Sequence, residues 1–217
     1  FGGVFDGAGY TISNLKITQD GDSDNTRFGL FAEVSGTIKD LNVSNISINI
    51  TNVEKEINEK IFEYTSIHPE SKGMGTTLVL ALVTPEYILF GNIGDSSGFV
   101  MKNNHLHKVT HDHTLVNLLV TAGELTEEEA RNHPRKNILM NALGINDPID
   151  IDIFDCSMDI SSILLCSDGL TTMLLDEQIE KTLLEENLSI EEKVERLINK
   201  ANNRGGKDNI SVAYLEK

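Results

Sequence analysis

With 217 residues, 39% of them hydrophobic and 24% charged, the chain has the composition of one globular domain, or of one domain with a small appendage. A formal charge of −16 and a pI near 4.7 exclude a basic phosphate-binding face, so no nucleic-acid partner is expected. No apolar run reaches the ~18 residues that span a bilayer, so no membrane partner is expected either.

Two cysteines, Cys156 and Cys166, are too few for a disulfide framework and read as buried thiols of a reducing compartment. The opening Phe1-Gly2-Gly3, without an initiator methionine or a signal peptide, reads as the start of a fragment or a processed chain.

Residues 1–50 carry almost no helical signal and hold seven of the 17 glycines. Short alternating runs, Tyr10 to Ile17 and Ile38 to Ile46, predict strands with one apolar face. Ile12-Ser13-Asn14-Leu15-Lys16-Ile17 is echoed 26 residues later by Ile38-Lys39-Asp40-Leu41-Asn42-Val43, a spacing that fits a β-solenoid coil. Phe5-Asp6-Gly7-Ala8-Gly9-Tyr10, then Gly29-Leu30-Phe31, then Gly36-Thr37-Ile38-Lys39-Asp40-Leu41 resemble the GLUG-type repeat of bacterial surface proteins. Residues 1–50 are therefore expected to form a GLUG-like β segment, and residues 51–217 a second domain.

From Val53 the period becomes helical, with Val53, Ile57, Ile61 and Tyr64 on one stripe and Pro69 beyond its end. Gly73 to Thr77 is a turn. Leu78 to Val83 and Tyr87 to Ile93 are strands, the second running into Gly94-Asp95-Ser96. Phe99 to Lys102 and His107 to Thr110 form a hairpin around Asn103-Asn104. Leu115 to Thr121 is a helix stopping at Gly123, and Thr126 with Glu129 caps another that stops before Pro134. Ile149 to Phe154 alternates as a half-buried strand. Leu175 to Leu184 and Ile190 to Ala201 are helices, the latter with Ile190, Val194, Leu197, Ile198 and Ala201 on its apolar face, and Ile210 to Leu215 closes the chain as a strand. Strands outnumber helices, which predicts an α+β fold of antiparallel sheets with helices outside.

The chemistry concentrates where buried strands meet acids. The apolar run opening the stretch Ser161 to Leu170 reads as a buried strand that runs straight into Asp168-Gly169, and 40 residues on Asp208 precedes another strand. Asp95 follows a third. An acid at a buried strand end must be hydrogen-bonded, paired or bound to a metal, and carboxylates gathered from several strand ends fit a hard cation with oxygen ligands. His105, His107, His111 and His113 have no recognised metal spacing, and Thr110 to His113 reads as a segment that pins a turn.

Gly73-Met74-Gly75-Thr76-Thr77, Gly94-Asp95-Ser96, Thr110-His111-Asp112-His113, Ala142-Leu143-Gly144, Ser167-Asp168-Gly169-Leu170 and Asp208-Asn209-Ile210-Ser211 occur in one order. In this they resemble the C-terminal two-thirds of the PPM (PP2C) family of metal-dependent serine/threonine phosphatases, bacterial type. The resemblance implies a PP2C-like β-sandwich, incomplete at its start, with a Mn²⁺ or Mg²⁺ centre. Asp168 and Asp208 would be ligands of the catalytic metals, Asp95 would hold a further metal with Asp168, and Asn209 would orient its neighbour. Residues 118–131 would lie in the segment beside the site, and Thr172 stands where some members carry another acid.

The family's N-terminal Arg and its Asp-Gly-x-Gly-Gly motif have no counterpart; Asp6-Gly7-Ala8-Gly9 is followed by a strand pattern where the family has a helix, so Asp6 reads as a turn residue of the repeat. The chain thus reads as a surface repeat joined, near Ile48 to Asn52, to a phosphatase without its first third.

The expected function is hydrolysis of phosphoserine or phosphothreonine in proteins, with a bacterial serine/threonine kinase as counterpart, in the cytoplasm. The alternatives are a catalytically silent phosphatase-like fragment that binds or regulates, or an adhesive module at the surface led by residues 1–50.

Overall fold

The computed structural model describes residues 4–6, 11–13, 37–39, 42–44, 53–84 and 86–217. The chain divides into two compact units, Phe1–Val53 and Glu54–Lys217. In the first, four strands of three residues are described: β1 (Val4–Asp6), β2 (Thr11–Ser13), β3 (Thr37–Lys39) and β4 (Asn42–Ser44). β1 pairs with β3 and β2 with β4, both in parallel. Phe5 lies opposite Ile38 and Ile12 opposite Val43, so the two echoed sequences do not stack on each other in register. Asp6 is the last residue of β1, opposite Lys39, rather than a turn residue. Gly29-Leu30-Phe31 and the expected join at Ile48 to Asn52 lie outside the described residues.

α1 (Val53–Ile67) begins at the boundary residue and from Glu54 on belongs to the second unit. Its expected apolar stripe is only partly covered. Tyr64 is exposed and stacks on His68, with ring centroids 4.2 Å apart, while the buried side chain is Asn58. The Asn58 amide donates to the Asn146 carbonyl at 2.8 Å and accepts from Gly144 N–H at 2.7 Å, tying α1 to the 144–146 turn. Gly144 has φ +79°, and a β-carbon on it would lie 2.4 Å from Ile61 Cγ2.

Two antiparallel sheets follow. β5 (Leu78–Val83), β6 (Ile88–Ile93) and β9 (Asp152–Cys156) form one, in the order β5-β6-β9. β7 (Ser97–Lys102), β8 (His105–Lys108), β10 (Ser162–Cys166) and β11 (Val212–Glu216) form the other, in the order β11-β10-β7-β8. The β7–β8 turn places Asn103 and Asn104 at φ 52° and 63°, the left-handed pair that a two-residue hairpin requires. The alternation along the strands decides the layers. Ile88, Phe90, Val100 and Ile163 meet in one core with Phe154 and Ala81 against it. Phe99, Met101, Leu164 and Cys166 face the opposite way, against helices.

Those helices are α4 (Asp168–Thr171), α5 (Asp176–Leu183) and α6 (Ile190–Asn203), supplying Leu170, Ile179, Leu183, Leu197 and Ala201 to the second core. Each such side chain, fully buried, contributes roughly 1.5–3 kcal/mol. Ser189 and Glu192 form the capping box of α6. Its buried face is Lys193, Leu197 and Ala201; Ile190 at one margin is exposed. Lys193 is drawn inward by Glu216 on β11, 2.7 Å from its ammonium.

Among the boundaries that differ from expectation, three do so for one reason, competition from local hydrogen bonds. β8 ends at Lys108, because Thr110 turns inward and its hydroxyl accepts from Gly98 N–H at 2.9 Å. β9 starts at Asp152, since the Asp150 carbonyl is taken by the Asn141 amide at 2.7 Å. β11 starts at Val212 because residues 209–211 are bonded to Ser167. No helix among the described residues is long and apolar enough to cross a membrane.

Candidate metal centre

β10 leaves the core at Cys166 and delivers Ser167 and then Asp168, the first residue of α4, a short helix the periodicity did not reveal. Ser167 is bonded on three sides to the chain before β11. Its hydroxyl donates to the Asn209 carbonyl at 2.9 Å and accepts from Ser211 N–H at 3.0 Å, and its own N–H reaches the Ser211 carbonyl at 3.0 Å. A β-carbon on Gly169 would lie 2.3 Å from the Asn209 carbonyl oxygen, so this approach requires glycine. The stitching brings Asp208 beside Asp168. The Asn209 main chain, rather than its side chain, carries the local order: its N–H donates to Asp208 Oδ1 at 2.7 Å.

Asp95 arrives from the other sheet, on the turn after β6. Gly94 sits at φ +100°, and a β-carbon there would lie 2.4 Å from Thr77 Cγ2. The Thr77 and Ser96 hydroxyls are 2.8 Å apart across the turn. Burial pushes the Asp95 carboxyl up to about 6, with the charges of Asp168 and Asp112 adding to it. Burial also raises Asp168, followed by the charge of Asp208. Two strand-end acids from different sheets, and a third before β11, therefore crowd one region, in which burial and neighbouring carboxylates oppose the ionisation of Asp95 and Asp168.

Asp95, Asp112 and Asp168 line a cleft of about 550 Å³. Its other wall comes from α2 (Leu115–Thr121) and α3 (Glu127–Asn132), which place Asn117, Ala130 and Arg131 on it. The side chain of Thr172 also faces the cleft. Two cations already answer acids there: Lys108 Nζ is 2.6 Å from Asp112 Oδ1, and an Arg131 guanidinium nitrogen is 3.9 Å from Asp176 Oδ1.

The donor set of Asp95, Asp168 and Asp208 is all carboxylate oxygen, the chemistry of Mg²⁺ and Mn²⁺ rather than of zinc or copper. A cation would offset the burial and the like charges that raise Asp95 and Asp168. Among the described residues, no three His, Cys, Asp or Glu side chains enclose a metal on their own. The described residues thus fit a hard cation as part of its coordination shell.

Asp112, Lys108 and Arg131 escaped assignment from sequence. Asp112 stands in a motif picked out for its neighbours, and Lys108 meets it across an irregular turn with no periodicity to reveal the pairing. Among the described residues, His105, His107, His111 and His113 are not gathered into one group of three or more metal-binding side chains. His113 instead holds the turn, as Thr110 to His113 was expected to do, through bonds to Gly94, Asn141 and Asp152.

Residues 32–211 match the model of the family described as protein phosphatase 2C, a match that begins within the segment compared above to a surface repeat. The chain is 42% identical over 164 residues to the serine/threonine phosphatase stp of Listeria welshimeri, covering 75% of this chain and 65% of that protein. It resembles the crystal structure of serine/threonine phosphatase Stp1 from Staphylococcus aureus with a TM-score of 0.72 at 33% identity, over 78% of this chain and 69% of that one. The catalytic domain of the serine threonine protein phosphatase PstP, in complex with two manganese ions, gives a TM-score of 0.63 at 32% identity, over 73% and 66% of the two chains. The chain therefore spans about two thirds of the length of the proteins it matches.

Proposed function

Since this chain belongs to the protein phosphatase 2C family, we propose that its cleft hydrolyses phosphoserine or phosphothreonine in protein substrates, with Mn²⁺ or Mg²⁺ as cofactor. The observation that carries the reading is the convergence of Asp168 and Asp208, stitched together through Ser167, where Asp168 lines one cleft with Asp95 from the opposite sheet.

In this reading Asp168 and Asp208 hold the catalytic cations, and Asp95 shares a further one with Asp168. Bound there, such cations supply Lewis acidity toward phosphate oxygens and an acidified water as nucleophile. The protein's own contribution is positional. Ser167 and Gly169 fix the separation of the two acids, and partial burial limits how far water screens Asp168. Lys108 holds Asp112 in an ion pair. Arg131 on the opposite wall, half-exposed and held only loosely by Asp176 at 3.9 Å, offers a cation to an incoming phosphorylated segment, whose charge the acidic protein otherwise repels. The phosphoproteins would be products of a bacterial serine/threonine kinase, and the site of action the cytoplasm, or the surface if residues 1–50 belong to a larger surface protein.

One observation favours a second reading, a phosphatase-like fragment that binds or regulates without hydrolysis: no three described acids enclose a cation by themselves. Hydrolysis of p-nitrophenyl phosphate and of a phosphothreonine peptide, with Mn²⁺ and with chelator, separates the two. Mn²⁺-dependent turnover that Asp168→Asn abolishes is the expected result. A folded, monodisperse sample without turnover overturns the enzymatic reading in favour of the second.

A further inference from the structure

We infer that His113 is a positioning residue, which clamps the Asp95 turn to both ends of the helical segment walling the cleft. The inference rests on the reading of Asp95 as a cation ligand.

The His113 ring is nearly enclosed, and its hydrogen bonds specify its tautomer. Nδ1 receives the Asn141 amide at 2.9 Å and Gly94 N–H at 3.3 Å. Both partners are donors, so Nδ1 is the acceptor and Nε2 carries the proton. Nε2 lies 3.0 Å from Asp152 Oδ2, which takes that hydrogen bond. The Asn141 orientation is set independently, because the same amide nitrogen donates to the Asp150 carbonyl at 2.7 Å.

The main chain of His113 repeats the connection. Its N–H donates to the Gly94 carbonyl at 2.9 Å, and its carbonyl accepts from Met140 N–H at 2.7 Å. Asn92, fully buried at the end of β6, donates to the carbonyls of Gly94 and His111 at 3.2 and 2.8 Å. Gly94, the residue before Asp95, is thus held at both its N–H and its carbonyl by one histidine.

The same histidine stands where the segment carrying α2 and α3 begins and ends. Leu115 N–H bonds to the Ile138 carbonyl at 2.9 Å, and Thr114 bridges to Leu139. Residues 115–137 therefore form a closed loop whose neck is gripped by His113 and whose helices line the cleft opposite Asp95. A ligand's partners tune its affinity through orientation, and their loss weakens metal binding about 10- to 100-fold.

A merely structural histidine would lower thermal stability but leave the cation affinity of the folded protein unchanged. The test is Mn²⁺ titration by isothermal calorimetry on the full chain, combined with amide hydrogen exchange without metal. Comparison of the unsubstituted protein with Asp95→Asn identifies the binding component that depends on Asp95. His113→Ala should weaken that component about 10-fold or more and speed exchange at Gly94 and Met140, while β10 and β11 keep their protection. His113→Asn, whose Oδ1 can replace Nδ1 as acceptor, should restore most of the affinity.

If His113→Ala does not fold, Asn141→Ala removes one partner of the ring and should shift the same readouts in the same direction. Unchanged affinity and unchanged exchange in the folded variant would overturn the inference. The absence of an Asp95-dependent component in the unsubstituted protein overturns the cation reading instead, and is seen before any His113 variant is made.

Discussion

The carbonyl oxygen of Asn209 sits where a β-carbon of residue 169 would point: built on Gly169, that carbon would lie 2.3 Å away. Both neighbours of this contact are acids, Asp168 on one segment and Asp208 on the other. The absence of one side chain therefore decides how closely two carboxylates approach.

Gly169→Ala should separate the two segments. The obstructing atom is backbone, which cannot rotate aside, so a cost of about 1–3 kcal/mol is expected. Urea unfolding should show a lower midpoint with an unchanged slope, and Mn²⁺ should stabilise the variant less than the unsubstituted protein. An unaltered midpoint would mean that residues 208–210 yield readily.

In protein stripped of divalent cations, Asp95→Asn should be the more stable form. Burial and the charges of Asp168 and Asp112 oppose the Asp95 carboxylate, and the amide removes that opposition at almost the same volume. A gain of ~1 kcal/mol corresponds to about 2–4 °C in a chain of this size. With Mn²⁺ present the order should narrow or reverse. Differential scanning calorimetry in chelator and in Mn²⁺ reads both; a lower midpoint in chelator contradicts the assignment.

Cys166 should resist thiol reagents in the native state. Burial pushes its thiol up to about 12, against an ordinary value of 9.0. The raised value means the folded state disfavours the thiolate. The thiol form is fully present below pH 9, and the associated stability is lost only as pH rises from there toward 12. At pH 8 the thiolate population falls by roughly a thousand-fold relative to the unfolded chain. Labelling by a chromogenic disulfide should show Cys166 silent until urea is added. Cys156, also raised by burial, should lag less because it is only partly covered.

Leu197→Ala on α6 should cost about 2–5 kcal/mol, since its side chain is fully buried among Leu164, Leu170 and Ile179. Leu118→Ala on α2 should change stability by about 0.5 kcal/mol or less, because that leucine is 56% exposed. Chemical denaturation of the two variants checks the contrast. Equal losses would place α2 in the core.

Those two leucines mark the limit of reading periodicity. Both belong to helical runs that the residues announced, and their helices lie close to where they were expected. The stripe on α6 nevertheless turned: Lys193 went inside and Ile190 stayed out, because Glu216 on β11 waits above Lys193. A hydropathy pattern weighs residues one at a time and cannot include a partner 23 positions away.

By itself, the sequence determined the local chemistry: the apolar runs of β5, β6, β7 and β10, the Asn103-Asn104 turn, the capped starts of α3 and α6, and the acids at strand ends. Each depends on a few adjacent side chains and on backbone preferences that act within a turn or a strand. The tertiary structure alone decided which of those acids meet. Asp168 reaches Asp208 through Ser167 and the space left by Gly169, and Asp95 comes from a different sheet on a turn held by His113. Such meetings depend on how two sheets stack and which loops touch, and contacts between residues tens of positions apart leave no period in the chain.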